Sequence, residues 1–119
     1  MGVGGAAAVL VVDDEPAIRL LCRVNLELEG YEVLEASSLE EARGHLGGRD
    51  VAVALLDMRV GADRGDKLLD ELDARAIPVI FISGSAEIQP DIARRAAASL
   101  GKPFAIDDLL AAVRSAAAR

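Results

Sequence analysis

Residues 51–57 read VAVALLD, an unbroken apolar run that ends in Asp57. A strand with one face in water alternates apolar and polar residues, and this stretch does not. A continuously apolar strand is typical of a parallel sheet that is covered by helices on both faces. The stretch therefore predicts an α/β fold with residues 51–56 forming a strand between two helix layers.

Outward from this strand, the chain alternates strands and helices in both directions. The other predicted strands are residues 6–12, 31–36, 77–82 and 98–101. Helices are predicted at residues 16–29, 38–48, 66–75 and 91–97, and from about residue 105 to the end. Five strand–helix units in a row imply a doubly wound five-stranded parallel sheet with right-handed crossovers and strand order 2-1-3-4-5.

Local signals support these helices. Pro16 suits the first turn of a helix, and the run Ser38 to Glu41 is a capping-box pattern. Along the first helix, spacings of three and four predict one inward face. Its predicted members are Ile18, Leu21, Cys22, Asn25 and Leu28.

Composition limits the possible classes of protein. The chain has 119 residues, 52% of them hydrophobic, and a net charge of −7, which indicates one folded acidic domain over residues 1–119. An acidic domain repels nucleic acid, so no direct nucleic-acid binding is expected. The apolar runs are too short to span a membrane, and residues 1–5 are expected to be a flexible lead-in rather than a signal peptide. Together with a single cysteine, these features predict a cytoplasmic protein.

Polar residues follow the predicted strands where each one ends. Asp13 and Asp14 follow the first strand, Asp57 the third, Ser83 the fourth and Lys102 the fifth. In open parallel sheets, sites form at the carboxyl ends of the strands. We therefore expect three carboxylates, one hydroxyl and one ammonium group to meet at one edge of the sheet.

Three converging carboxylates need a compensating charge. Two full charges about 4 Å apart repel by roughly 4 kcal/mol at an effective dielectric of about 20. Either one carboxylate keeps its proton or a cation binds, and oxygen ligands favour a hard cation such as Mg²⁺. A metal, an ammonium and a hydroxyl around Asp57 would suit a phosphoryl group, with Asp57 as the nucleophile. Taken singly, each residue also has a plain structural explanation, and Asp14 before Pro16 would serve as a helix cap.

The combination of motifs resembles the receiver domain of two-component response regulators over residues 9–117. The resembling stretches are VVDDE at 11–15, LLDM at 55–58, PVIFISG at 78–84 and KPF at 102–104. The resemblance implies a flavodoxin-like fold of the chemotaxis-regulator type.

The resemblance also implies a role for each site residue. Asp57 is the implied phosphoacceptor, Ser83 the switch hydroxyl and Lys102 the phosphoryl-binding lysine. Asp14 and Asp57 are the implied direct Mg²⁺ ligands, with the backbone carbonyl of Arg59 as a third and Asp13 acting through water. The implied phosphoryl donors are a histidine kinase, a histidine phosphotransfer protein, or a small donor such as acetyl phosphate.

The sequence departs from the family pattern in three places. Gly61 stands where a proline is common, which predicts a less rigid loop. Ser99 stands where the family usually has an aromatic switch residue, and the stretch from residue 83 to 102 is a few residues short. We therefore expect movement of residues 83–89, without coupled aromatic rotation, to carry the signal.

Two other functions compete with a phosphorylated signalling module. An aspartyl phosphatase would typically have Asp two residues after the nucleophile, where this chain has Arg59. A receiver-like domain that is never phosphorylated typically loses an acidic residue or the lysine, and both are present. The sequence ends at Arg119, so no output domain is expected, and a stand-alone regulator, a phosphate shuttle or sink and a fragment of a longer protein all stay open. A downstream protein target is possible, and the oligomeric state stays open between a monomer and a weak dimer. Arg94 and Arg95 would either pair with Asp107 or Asp108 across such a dimer or lie on a solvated helix face.

Overall fold

The computed structural model describes residues 8–84 and 88–118. The predicted lead-in, the first two residues of the first predicted strand and residues 85–87 of the predicted moving loop lie outside them. One sheet contains five parallel strands: β1 (Ala8–Val12), β2 (Glu32–Ala36), β3 (Val53–Asp57), β6 (Val79–Ser83) and β7 (Ala98–Gly101). Their spatial order is β2-β1-β3-β6-β7, which confirms the predicted order 2-1-3-4-5.

The five predicted helices are present on the two faces of this sheet. They are α1 (Pro16–Leu28), α2 (Leu39–Gly48), α3 (Leu69–Ala74), α4 (Pro90–Ala93) and α5 (Ile106–Ala117). The Ser38 hydroxyl accepts a hydrogen bond from the Glu41 amide at 3.1 Å, so the predicted cap of α2 forms. Among the described residues, no helix is long and apolar enough to cross a bilayer.

The sheet separates two apolar clusters. Because successive side chains of a strand point to opposite faces, Leu10, Leu56 and Phe81 pack on one side, with α2 and α3. Leu55 and Ile80 pack on the other side, with α1 and α5. β3 is buried at all five positions, as its apolar sequence predicted.

The predicted inward face of α1 is partly wrong. Cys22 and Leu26 are its buried residues, with Ile18 packed partly buried against the same cluster. These three positions lie four residues apart and therefore form one stripe along the helix. Leu21 and Leu28 were predicted to face inward but are 39% and 78% exposed, because they lie on the neighbouring, solvent-facing side.

Two predicted helices are shorter than expected. The third begins as a 3₁₀ turn at Gly65–Leu68 and becomes α-helical only at Leu69. The fourth was predicted at 91–97 but ends at Ala93, because the Ala97 amide already donates to the carbonyl of Val79 on the neighbouring strand.

Arg95 lies just after α4 and forms ion pairs within the chain. Its guanidinium contacts Asp70 at 2.6 Å and Asp73 at 2.5 Å, both on α3. Arg95 is an exposed residue, as the predicted solvated face implies, and its ion-pair partners are the aspartates of α3.

The sequence did not predict a small hairpin between β3 and α3. Strands β4 (Arg59–Val60) and β5 (Asp63–Arg64) pair antiparallel. Gly61, in the turn, has φ of 61°, a left-handed conformation that proline cannot adopt. The glycine at the family's common proline position is therefore a turn residue of this hairpin, and not simply a source of looseness.

Candidate functional site

The ends of four strands, β1, β3, β6 and β7, meet at one edge of the sheet, as the strand order predicted. Backbone hydrogen bonds hold them together: the Met58 amide donates to the Ile82 carbonyl at 3.1 Å, and the Lys102 amide to the Ser83 carbonyl at 2.7 Å. A cleft of about 470 Å³ lies at this edge, and Asp14, Asp57, Ser83 and Lys102 are among its lining residues. Sequence reasoning therefore placed these four residues together correctly.

The three aspartates form a compact oxygen cluster. Carboxylate oxygens of Asp13, Asp14 and Asp57 all lie within 4.8 Å of one another, a spacing suited to holding a metal ion. Asp13 is 1% exposed and Asp57 is 7% exposed, whereas Asp14 is open to solvent. The cluster therefore has a buried floor and one ligand at its rim.

Asp13 is fixed by the first turn of α1. Its Oδ1 accepts a hydrogen bond from the Glu15 amide at 2.9 Å, and its main-chain carbonyl accepts one from the Arg19 guanidinium at 2.7 Å. Its other oxygen, Oδ2, is buried and forms an ion pair with the Lys102 ammonium 2.9 Å away. The buried carboxylate is therefore balanced mainly by one cation.

Asp14 is held at the rim by the hairpin and does not cap α1. Its Oδ2 accepts a hydrogen bond from the Gly61 amide at 3.2 Å. The cap position of α1 is Glu15, which makes no side-chain capping bond. The alternative interpretation of Asp14 as a helix cap is therefore wrong.

Lys102 connects the carboxylates. Its ammonium lies 2.9 Å from Asp13, 3.0 Å from Glu15 and 3.2 Å from Asp57. Burial alone would lower the pKa of Lys102, but its bonds to these carboxylates outweigh burial and raise the pKa above its usual value. Glu15 is part of the VVDDE motif, but the sequence assigned it no role, because only the folded chain brings it to Lys102.

Burial raises the pKa of the Asp57 carboxyl above its usual value. The negative charge of Asp13 acts in the same direction, while the Arg59 amide, 3.2 Å from Asp57 Oδ1, and the Lys102 ammonium oppose it. Without further positive charge, the site therefore disfavours the ionised form of Asp57.

Comparison with known proteins accounts for this arrangement. Residues 9–114 match the family described as the response regulator receiver domain. The chain belongs to this family. It is therefore a receiver domain of a two-component response regulator and not a conventional enzyme.

Individual relatives agree with this assignment. The KDP operon transcriptional regulatory protein KdpE of Escherichia coli is 37% identical over 93% of this chain, which covers 51% of that protein. The receiver domain thus spans about half the length of this relative. A CheY-like receiver domain from Methanospirillum hungatei has a TM-score of 0.88 and 27% identity, with 96% of this chain and 95% of that one covered.

A third relative carries a modified aspartate. A response regulator protein from Burkholderia pseudomallei, described with a phosphorylated aspartic acid, calcium ion and citrate, has a TM-score of 0.81 and 26% identity. The alignment covers 94% of this chain and 69% of that protein.

Gly65 is a residue of the receiver site that sequence reasoning missed. A Cβ atom at this position would lie 1.8 Å from the carbonyl oxygen of Asp57, far inside contact distance. The Gly65 amide donates to the carbonyl of Met58 at 2.8 Å, which holds the two segments together. A single glycine ahead of a predicted helix has no spacing pattern that would have revealed this role.

The other side of the receiver site is open. Ser99 is exposed on β7, where the family usually has an aromatic residue. A second cleft, of about 530 Å³, adjoins the first and includes Ser83, Ile88, Ser99 and Lys102 in its lining. Ser83 and Lys102 line both clefts.

Proposed function

We propose that this receiver domain accepts a phosphoryl group on Asp57 in a Mg²⁺-dependent reaction. The observation that carries the proposal is the cluster of Asp13, Asp14 and Asp57, with the Lys102 ammonium 3.2 Å from Asp57 Oδ2. The phosphorylated aspartate described for the Burkholderia relative supports the same chemistry here.

The donor set fits a hard divalent cation. All three clustered side chains offer carboxylate oxygens, and those of Asp13 and Asp57 are buried. Asp14 and Asp57 would bind Mg²⁺ directly together with the Arg59 carbonyl, and Asp13 would act through a water molecule. When bound, the ion would neutralise charge on the phosphoryl oxygens during transfer.

The protein's own groups supply the remaining functions. Asp57 must be ionised, so that one carboxylate oxygen can attack phosphorus while the bond between phosphorus and the donor's leaving group breaks. Lys102 can leave one of its three carboxylate partners and donate to a phosphoryl oxygen, since an ammonium has three donors. The Ser83 hydroxyl would bind another phosphoryl oxygen as the switch group.

Family membership implies a histidine kinase as partner. Its donor histidine, or that of a histidine phosphotransfer protein, would approach Asp57 from the open end of the cleft, beside the start of α1 and the exposed Pro103. Small donors such as acetyl phosphate would enter from the same side.

The proposal extends to the setting of the domain. We expect residues 1–119 to act as one receiver unit in the cytoplasm, without contacting nucleic acid or membrane, and to signal to a downstream protein as a monomer or weak dimer. The net charge of −7 supports the expectation for nucleic acid, because like charges repel.

Intact-mass measurement tests the central proposal. After incubation with acetyl phosphate and Mg²⁺, we expect one added phosphoryl group, which should be absent from Asp57→Asn and from samples treated with a chelator. Asp14→Ala should bind Mg²⁺ at least tenfold more weakly by calorimetry, since it removes a charged ligand. An equal adduct in Asp57→Asn would refute Asp57 as the acceptor. An absent adduct in the unaltered protein would favour a receiver-like domain that is never phosphorylated.

A further inference from the structure

The hairpin between β3 and α3 places two arginines at the mouth of the phosphoryl cleft. Arg59 on β4 and Arg64 on β5 are directly paired in the antiparallel register. Directly opposed residues of such a pair project from the same face of the hairpin. Both arginines line the cleft that contains Asp57, Ser83 and Lys102.

Like charges directly opposite each other are unfavourable in an antiparallel pair. Arg64 is partly compensated, because its Nε and Nη2 donate to the two carboxylate oxygens of Asp66 at 3.0 and 3.4 Å. Arg59 is exposed and forms no ion pair among the described residues. The hairpin therefore keeps an uncompensated positive charge that an anion between the arginines would offset.

The inner part of the site has the opposite charge. The carboxylates of Asp13, Glu15 and Asp57 contact the ammonium of Lys102, and the carboxylate of Asp14 belongs to the same oxygen cluster. Even with one divalent cation bound, this set carries a net negative charge. A phosphate dianion approaching from solvent is therefore repelled by the inner wall and attracted by the hairpin.

We propose that Arg59 and Arg64 form a recognition pair for the dianionic phosphate of an incoming small-molecule phosphodonor. Asp66 is the positioning residue, since its two oxygens hold the Arg64 guanidinium in a forked contact at the cleft mouth. The pair raises the local concentration of donor near Asp57 and takes no part in bond breaking. This inference rests on the proposed phosphorylation of Asp57.

The test is the second-order rate constant for phosphorylation by acetyl phosphate at saturating Mg²⁺, measured at several ionic strengths. Arg64→Ala should lower this rate constant about fivefold and Arg59→Ala/Arg64→Ala about tenfold or more, because electrostatic steering is lost. The dependence of the rate on salt should become shallower in the same order. Arg64→Lys should be phosphorylated faster than Arg64→Ala but more slowly than the unaltered protein. Lysine keeps the positive charge but loses the forked contact with Asp66.

A matched control is Arg43→Ala, which removes an arginine paired with Glu71 on a different part of the surface. It should leave both the rate constant and its salt dependence unchanged. The inference is overturned if Arg59→Ala/Arg64→Ala is phosphorylated as fast as the unaltered protein. It is also overturned if the rate constant of this variant falls while its dependence on salt stays the same. Thermal unfolding of each variant shows whether it is folded. No adduct in the unaltered protein would instead count against the proposed function.

Discussion

The two walls of the phosphoryl cleft differ in how tightly they are packed. On the β3 side, Gly65 passes so close to Asp57 that a Cβ atom would lie 1.8 Å from its carbonyl oxygen. On the β7 side, a Cβ atom at Gly101 would meet no atom within 4 Å, and Ser99 is exposed. Asp57, the proposed acceptor, is thus held by a closely packed wall (the closed wall), whereas the wall next to Ser83 and Lys102 (the open wall) has free space.

This difference separates the two tasks of a receiver domain. Phosphoryl transfer requires a carboxylate in a fixed place, and close packing provides it. Signalling requires a group that can change position. Ser83 lines both clefts and so lies between the closed wall at Gly65 and the open wall at Ser99 and Gly101. The open wall lacks the family's aromatic residue, so we expect the signal to leave through the backbone after Ser83 rather than through a turning ring.

The largest expected effect is on stability, from adding a methyl group at Gly65 on the closed wall. Gly65→Ala should lower the free energy of unfolding by about 3 kcal/mol or more, because the methyl group meets main-chain atoms that have no other place to go. Gly101→Ala is the matched control and should change it by less than about 0.5 kcal/mol. Urea unfolding of both variants measures the contrast, and equal losses would show that the walls do not differ.

The second largest effect is expected for Lys102, whose side chain lines both clefts. Lys102→Ala should slow phosphorylation of Asp57 by acetyl phosphate about 100-fold, because it removes a donor aimed at the phosphoryl oxygens. It also removes a positive charge 3.2 Å from Asp57, so the pKa of Asp57 should rise further. The rate against pH should therefore shift to higher pH in the variant. An unshifted profile would contradict the coupling of the two groups.

A smaller effect is expected on stability at the closed wall. The pKa of Asp57 is higher in the folded chain than its value near 3.8 in the unfolded chain. The ionised carboxylate therefore destabilises the folded state above the folded pKa, and this effect is absent below pH 3.8, where Asp57 is protonated in both states. Asp57→Asn should therefore stabilise the protein at pH 7 by about 1 kcal/mol, as Lys102 keeps Asp13 and Glu15 as partners. The gain in stability should disappear as the pH falls below 3.8. Thermal unfolding from pH 3 to pH 8, without Mg²⁺, measures it, and a loss of stability at pH 7 would refute it.

The smallest effect is expected at the open wall. Ser99→Phe adds a ring to an exposed position beside a cleft, so it should change the free energy of unfolding by less than about 0.5 kcal/mol. The rate of phosphorylation should change less than twofold, because the ring touches neither Asp57 nor its metal ligands. Stopped-flow or mass measurements suffice, and a large change in rate would show that the open wall controls the chemistry.

The sequence by itself determined the sheet and five of the polar residues that meet at its edge. The apolar run at 51–56 could be interpreted without a structure, because a strand buried on both faces loses the alternation that solvent imposes. Asp13, Asp14, Asp57, Ser83 and Lys102 followed from the rule that parallel strands bring their carboxyl ends to one edge.

The tertiary structure decided the features that depend on contacts between distant parts of the chain. A two-residue strand has no periodicity, so the Arg59–Arg64 hairpin left no pattern in the sequence. The inward face of α1 also depended on the tertiary structure. Its leucines lie on two adjacent stripes of the helix that are equally apolar. Packing against the sheet buries Leu26 and leaves Leu28 exposed. Likewise, the need for glycine at position 65 comes from the distance between two backbones, which only the folded chain sets.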